Sequence, residues 1–476
     1  MTHVLVIGAG PAGLAAATSA LRAGARVTLL DASDEAGGQY WRHLPPERAG
    51  ARESTLHHGW TRFTTLRSTV EHSPACEVVL GAQVWSLEPS AASPCGFTVN
   101  VSVGPTDSEG TSALRLSPDS IVLATGAHDR TLPFPGWDLP GVFTGGAAQA
   151  LAKGERVRVG QRVVVAGAGP FLLPVAASVA ESGARVVGVF EASRTRSLLS
   201  GWAPRPWQLL GARSKAGELF GYVGAFLRHR IRYSLGTGVI AAHGTDRVES
   251  VTIADLAPDW SPIPGSERVI AADAVCVSHG FTPRLELALA AGCVLDAERF
   301  VTVDSDQQTS VPHVFAAGEI TSIGGVDLSL AEGTLAGHAA AGGSPDASDI
   351  ASARRARRTF ADFARRIETA HGIRSGWHRW MHDDTIVCRC EEVGYGSICR
   401  VAAGTASVGL RSLKLSTRAG LGICQGRMCG RTVEQLLAAA APGGALIDTA
   451  STDRRPIVTP QRLSDLARLS AAEDNT

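Results

Sequence analysis

The stretch from Val4 to Asp31, VLVIGAGPAGLAAATSALRAGARVTLLD, leaves this chain few ways to fold. Val4 to Ile7 is a β-branched and aliphatic run suited to a strand buried on both faces. Gly8, Gly10 and Gly13 form GxGxxG around Pro11 and Ala12, and Leu14 to Leu21 is rich in Ala and Leu and predicts a helix. Gly24 ends that helix, Arg26 to Leu30 reads as a second strand, and Asp31 closes it. Gly8 permits the tight turn out of the strand, Gly10 admits a pyrophosphate to the backbone, and Gly13 lets helix and strand approach. Free N–H groups at the helix start favour phosphate charge, and Asp31 is placed to accept ribose hydroxyls. The order strand, glycines, helix, strand, acid marks a dinucleotide-binding module. By itself it does not separate FAD from NAD.

A chain of 476 residues predicts two or three domains. Charged residues are 19%, with Lys+Arg and Asp+Glu both at 45, so nothing points to nucleic acid as a partner. No uncharged apolar run is long enough to span a bilayer. The apolar N-terminus lacks a basic leader and carries the fingerprint rather than a signal peptide, so a cytoplasmic protein is expected. The nine cysteines suit no secreted disulfide framework, being odd in number, and four of them cluster late.

The opening pattern recurs from Arg162 to Glu191, RVVVAGAGPFLLPVAASVAESGARVVGVFE. Gly167 and Gly169 are present, Leu172 takes the third glycine position, Pro170 is expected in the first helical turn, and Glu191 stands where Asp31 stood. This second site could hold NAD(P), another adenine nucleotide, or nothing. Between the repeats, Gly37-Gly38-Gln39 allows a close backbone pass beside a cofactor. Residues 76–122 read as a small antiparallel insertion leading to the buried strand SIVLATG, Ser120 to Gly126. The aromatics of residues 194–235 read as a packed helical surface, and His279 reads as a structural histidine with proton donation as the alternative. A strand from Thr309 ends in Ala-Gly318-Glu319, followed by a small-residue helix from Gly324 to Gly337. Residues 343–352 read as a linker and 354–370 as an Arg-rich amphipathic helix.

Cys388 and Cys390 form CxC, and Cys424 and Cys429 form C-x4-C. Residues i and i+2 of an extended chain project to one side, and Gly422, Gly426 and Gly430 put the second pair in a loop before a helix from about Arg431. Four thiolates hold zinc or an iron–sulfur cluster, and spacing does not choose. A redox cofactor in the same chain favours the cluster, because zinc adds no electron route. Cys76, Cys95, Cys276 and Cys293 read as isolated apolar residues, and Cys399 as a weaker ligand candidate.

GAGPAG at Gly8–Gly13, Asp31, the ATG at Ala124–Gly126 and AAGE at Ala316–Glu319 resemble the two-dinucleotide-domain flavoproteins of the glutathione-reductase-like fold over about residues 1–342. Glu319 stands where that family has Asp. The resemblance implies FAD on Gly8, Gly10, Pro11, Ala12, Gly13, Asp31, Gly38, Gln39, Val84, Thr125, Gly126, Gly318 and Glu319, and a pyridine nucleotide on Gly167, Gly169 and Glu191. Residues 1–342 hold no redox CxxC, which argues against thiol–disulfide chemistry. The tail is similar to bacterioferritin-associated-ferredoxin-like [2Fe–2S] domains, with C-x4-C where they close on CxxC. That likeness implies Cys388, Cys390, Cys424 and Cys429 as ligands.

GGQYWR, GPFLLPVA and CQGRMCG together resemble the alpha-type subunits of heteromeric amine and amino-acid dehydrogenases and oxidases, acting on opines, hydroxyproline, proline or glycine. The expected fold class is α/β: two Rossmann-like dinucleotide-binding domains plus a small C-terminal helical iron–sulfur domain. The expected boundaries are 1–150 and 271–342 for FAD, 151–270 for the second nucleotide, 343–384 for linker and helix, 385–445 for the cluster and 446–476 for a tail. The implied function is an FAD and [2Fe–2S] electron-transfer subunit beside an FAD-containing amine-oxidising beta subunit, with a small ferredoxin-like subunit as a further partner. The alternatives are an autonomous NAD(P)H-dependent reductase and a purely structural subunit. No residue stands out as an acid–base catalyst.

Overall fold

The computed structural model describes residues 1–48, 53–105, 111–405, 407, 409–440, 457–464 and 466, so most of the expected tail lies outside the described residues. The chain forms two units: Met1–His128 with Pro283–Ala364 and Arg454–Thr476, and Asp129–Thr282 with Arg365–Asp453.

The first unit is built on a five-stranded parallel sheet ordered Val314–Ala316, Ser120–Leu123, His3–Ile7, Arg26–Leu30, Cys76–Val79. Val4, Leu5 and Val6 are wholly buried, as a strand covered on both faces requires. Each such side chain contributes about 1.5–3 kcal/mol on burial. The helix Pro11–Arg22 starts with Pro in its first turn, where the missing N–H is no loss. It packs on the helix Gly325–Ala340 without intervening side chains. A Cβ on Gly333 or Gly337 would come within 2.0 Å of the Ala12 or Ala16 carbonyl oxygen. Those two glycines therefore set the distance between the helices.

The antiparallel insertion is three-stranded, Ala82–Pro89, Phe97–Val103 and Ser112–Leu116. Cys76–Val79 is not part of it; that run pairs with Arg26–Leu30 and extends the parallel sheet. The expected linker is also shorter than read, because the helix Ser348–His371 starts inside it and buries Ile350 and Ala353. Among the described residues no helix is long and apolar enough to cross a membrane.

The second unit repeats the plan. Its parallel sheet runs Tyr233–Leu235, Arg185–Glu191, Arg162–Gly167, Ala274–Ser278, Val142–Thr144, with a three-stranded antiparallel sheet of Thr237–His243, Ser250–Asp255 and Arg268–Ala271. The glycine turns of the two units differ where Leu172 replaces glycine. In the first, a Cβ on Gly13 would lie 1.7 Å from the Gly8 carbonyl oxygen. A side chain at that place forces the helix to stand off, and the second helix starts only at Leu172. Pro170 consequently lies in the preceding turn, not in the first helical turn as expected, and its carbonyl accepts from Leu173 N–H at 3.1 Å.

Residues 194–235 are helical, Thr195–Trp202 and Arg213–His229, yet they do not close into a packed surface: Phe220 is 76% and Leu227 75% exposed. The cysteine-bearing segment adds Ile386–Cys388, Tyr395–Thr405, Leu410–Thr417 and Gly430–Ala440. Its Val387, Leu413, Val433 and Leu437 join one core with Val164, Val251, Trp260 and Val275.

Candidate functional site

Four parallel strands of the first unit deliver the predicted residues to one edge of their sheet. Gly8, Asp31, Thr125–Gly126 and Gly318–Glu319 follow the carboxyl ends of their strands, the position at which open α/β sheets take ligands. Gly8 has φ +108°, and a Cβ there would lie 2.3 Å from the Ala124 carbonyl oxygen. Gly38 faces Gly10 so closely that a Cβ on it would come within 2.8 Å of the Gly10 Cα. No side chain caps the helix at Gly10, so its first N–H groups face outward. Asp31 accepts from Ala9 N–H at 2.6 Å and Ser33 N–H at 2.8 Å, which braces the turn, and it stays half-exposed. Thr125 donates to the Arg284 carbonyl at 2.8 Å. The glycine cradle, the uncapped helix start and the accessible Asp31 fit the pyrophosphate and ribose of FAD. Gln39 lies exposed and accepts from Arg42, while Val84 is buried in the antiparallel insertion beside Leu87 and Val99.

Beneath Gly318 is a carboxyl that sequence reading missed. Glu332 is buried, and its Oε2 accepts from Gly318 N–H at 2.9 Å and faces Thr321 Oγ1 at 2.7 Å. Thr321 also donates to the Gly318 carbonyl at 2.8 Å. One hydroxyl proton cannot serve both acceptors, so a protonated Glu332 satisfies the network best. Arg357 lies 3.9 Å from Oε1, and Gln307, with its amide turned to suit both neighbours, donates to the Ala316 carbonyl and accepts from Arg357 Nε. Burial pushes the Glu332 pKa from 4.5 to about 7, against the pull of Thr321, Gly318 and Arg357. The stability lent by the protonated form is whole below about pH 4.5 and is lost as pH rises through about 7. The full difference is roughly 3 kcal/mol. Glu332→Gln keeps the acceptor for Gly318 and is expected to flatten the fall of the urea midpoint across that window. Parallel profiles for the two proteins would overturn this assignment.

In the second unit Glu191 does what Asp31 does. It accepts from Gly169 N–H at 2.9 Å and Ser193 N–H at 3.0 Å. The paired tripeptides Asp31-Ala-Ser33 and Glu191-Ala-Ser193 were the local signal for this bracing role. Burial opposes its charge, but His371 and Ser193 hold the Glu191 pKa below the usual range. Unlike Asp31 it is wholly buried. His279 lies buried against Trp260 and Trp380, and burial pushes its pKa down to about 4, so its ring is neutral.

The four late cysteines meet as two pairs. Cys388 neighbours Cys429, and Cys390 neighbours Cys424. The Cys388 sulfur also accepts from the backbone N–H groups of Gly420, Glu391 and Cys390. Cys424 and Cys429 lie in the turn before Gly430–Ala440, and Gly422 lets that turn rest on Cys390, since a Cβ there would come within 2.2 Å of the Cys390 Cβ. Among the described residues no group of three or more His, Cys, Asp or Glu side chains surrounds a single metal-sized point. The chemistry of four thiols suits either zinc or an iron–sulfur cluster. Cys95 and Cys293 instead hydrogen-bond to Ser93 and Thr309, Cys276 is wholly buried, and Cys399 pairs with Tyr395.

Residues 2–344 match the model of the family described as pyridine nucleotide-disulphide oxidoreductase. An opine oxidase subunit of Rhizobium meliloti is 31% identical, over 98% of this chain and 87% of that protein. Hydrogen cyanide synthase subunit HcnB of Pseudomonas protegens is 30% identical over 89% of each. Among solved structures, L-proline dehydrogenase from P. horikoshii shares the fold at a TM-score of 0.66 and 20% identity, over 98% of this chain and 79% of that one. Thioredoxin reductase of T. acidophilum shares it at 0.52 and 21% identity, over 72% of this chain and 99% of that one.

Proposed function

The chain belongs to the pyridine nucleotide-disulphide oxidoreductase family and is an FAD-dependent oxidoreductase related to subunits of heteromeric enzymes; from there we propose that it is the electron-relay subunit of a heteromeric amine- or amino-acid-oxidising flavoenzyme. Family membership supports both FAD and pyridine-nucleotide binding. The observation that carries the relay reading is the meeting of four thiols in a chain whose first glycine turn fits a flavin nucleotide. In this reading Met1–His128 and Pro283–Ala364 hold FAD, Asp129–Thr282 forms the second nucleotide domain, and Cys388, Cys390, Cys424 and Cys429 hold a [2Fe–2S] cluster.

Bound there, FAD would supply one- and two-electron chemistry and the cluster one-electron transfer. The chain's own part is to bind and orient. Gly8, Gly10, Gly13 and Gly38 keep side chains away from the pyrophosphate, and the Pro11–Arg22 helix start meets its charge. Asp31 fixes the turn and offers its remaining lone pairs to ribose. Cys388, Cys390, Cys424 and Cys429 are the thiolate donors, with the N–H groups around Cys388 stabilising sulfur charge. The oxidised amine, an opine or an amino acid such as proline, hydroxyproline or glycine, is handled by a partner flavoprotein subunit.

The test is an anaerobic titration of the purified FAD-loaded chain, alone and with its partner. Amino-acid substrate is expected to bleach the flavin band of this chain only when the partner is present. Stoichiometric bleaching by NADH without the partner would overturn the relay reading in favour of an autonomous reductase.

A further inference from the structure

The second glycine turn has an acid in the ribose position that the protein's own helix has covered. Each acid braces its turn through two backbone N–H groups, Asp31 through Ala9 and Ser33, and Glu191 through Ser193 and, one residue further along its turn, Gly169. Glu191 carries two partners more. Tyr233 donates its hydroxyl to Oε2 at 3.1 Å, and His371 Nδ1 lies 3.4 Å from Oε1. These leave Glu191 at 0% exposure.

His371 is the last residue of the helix Ser348–His371, and that helix end is locked in place. Trp202 Nε1 approaches the other ring nitrogen at 3.5 Å. Ala370 sits against Gly201, where a Cβ would come within 2.7 Å of the Ala370 Cβ. One turn earlier, Arg366 is buried and donates to the carbonyls of Pro204 and Arg205 and to the Gln208 side chain. The His371 Cβ lies 3.9 Å from the point a Cβ on Gly169 would occupy, so the histidine stands beside the glycine that would admit a pyrophosphate.

The ends of the same strands keep polar atoms with nothing to bond. Ser278 Oγ and His279 Nδ1 are buried without a hydrogen-bond partner among the described residues. Buried orphans of this kind cost about 1–3 kcal/mol each, and they persist where a ligand or ordered water completes them. A merely structural turn has no reason to keep two of them.

We propose that His371 is a latch on the second dinucleotide site: it occupies the carboxylate that would receive the adenosine ribose, and so sets the affinity of that site for adenine nucleotides. A ribose diol reaches Glu191 only when the imidazole leaves. The apparent affinity is therefore lowered by the fraction of molecules in which the latch is closed. This concerns ligand binding in the second unit and is independent of the relay reading.

The test is calorimetric titration of AMP and of NAD+ into the FAD-loaded chain, comparing wild type, His371→Ala and His371→Gln. His371→Ala is expected to tighten binding at least tenfold. His371→Gln, which still presents an N–H to Glu191, is expected to stay near wild type. Tightening of both ligands identifies an adenosine-phosphate site, and tightening of NAD+ alone identifies a dinucleotide site. Equal or weaker binding of both by His371→Ala overturns the latch. Flavin content and the melting midpoint report whether the variant folds. Should it not, Trp202→Phe loosens the same ring and must tighten binding in the same direction, or the proposal fails.

Discussion

Gly8→Ala yields a chain that folds poorly around its first sheet and retains less than a tenth of its FAD. The residue combines two constraints that a methyl group violates together. Its φ of +108° is open to glycine and strained for any L side chain, at about 1–3 kcal/mol. The added Cβ would also lie 2.3 Å from the Ala124 carbonyl oxygen, a backbone atom of the adjacent strand that cannot rotate away. Relief requires separating His3–Ile7 from Ser120–Leu123, and that separation opens the sheet edge on which Asp31, Gly126 and Gly318 are arrayed. Gly24→Ala is the matched control. Gly24 has φ +87° but nothing within 4 Å of the added Cβ, so it bears strain alone. It is expected to lose about 1 kcal/mol of stability and keep its flavin. The ratio of flavin to protein absorbance in the two purified variants checks both expectations, and a flavin-replete Gly8→Ala protein would contradict them.

Cys429→Ser strips the late cysteine site of its metal while leaving the flavin in place. Wild-type protein purified without air is expected to carry two irons and two acid-labile sulfides per chain, and the variant close to none. Cys429 is buried at the foot of Gly430–Ala440 beside Cys388, so its loss removes a donor from one pair and unseats the other. The flavin cradle is built from residues of the first unit, and its occupancy is expected to stay within experimental error of wild type. Cys399→Ser, which removes a thiol paired with Tyr395, is expected to keep full iron. One zinc per chain in the wild type, or iron unchanged in Cys429→Ser, would refute the cluster.

The part of this protein that was legible in its sequence is the part whose geometry closes within some thirty residues. A strand, three glycines, a helix and a terminal acid have one compact arrangement, and Asp31 reaches Ala9 because two adjacent parallel strands end together. The repeat at Arg162–Glu191 was legible for the same reason, and so was the rise of the sheet to Gly126 and Gly318. Local rules also erred where a nearby backbone atom overruled them. Leu172 moved the second helix start past Pro170, and Cys76–Val79 paired with the parallel sheet beside it.

What only the tertiary structure decided are the pairs between distant segments. Glu332 meets Gly318 because two helices touch through Gly333 and Gly337. The cysteines were countable in the sequence, but which one faces which depends on the turn at Gly422 lying over Cys390. Glu191 and His371 stand 180 positions apart, and no periodicity joins them. Spacing specifies contacts when the intervening chain has one conformation; across a long chain the register is set by which apolar faces are buried together, and the polar pairs follow from that.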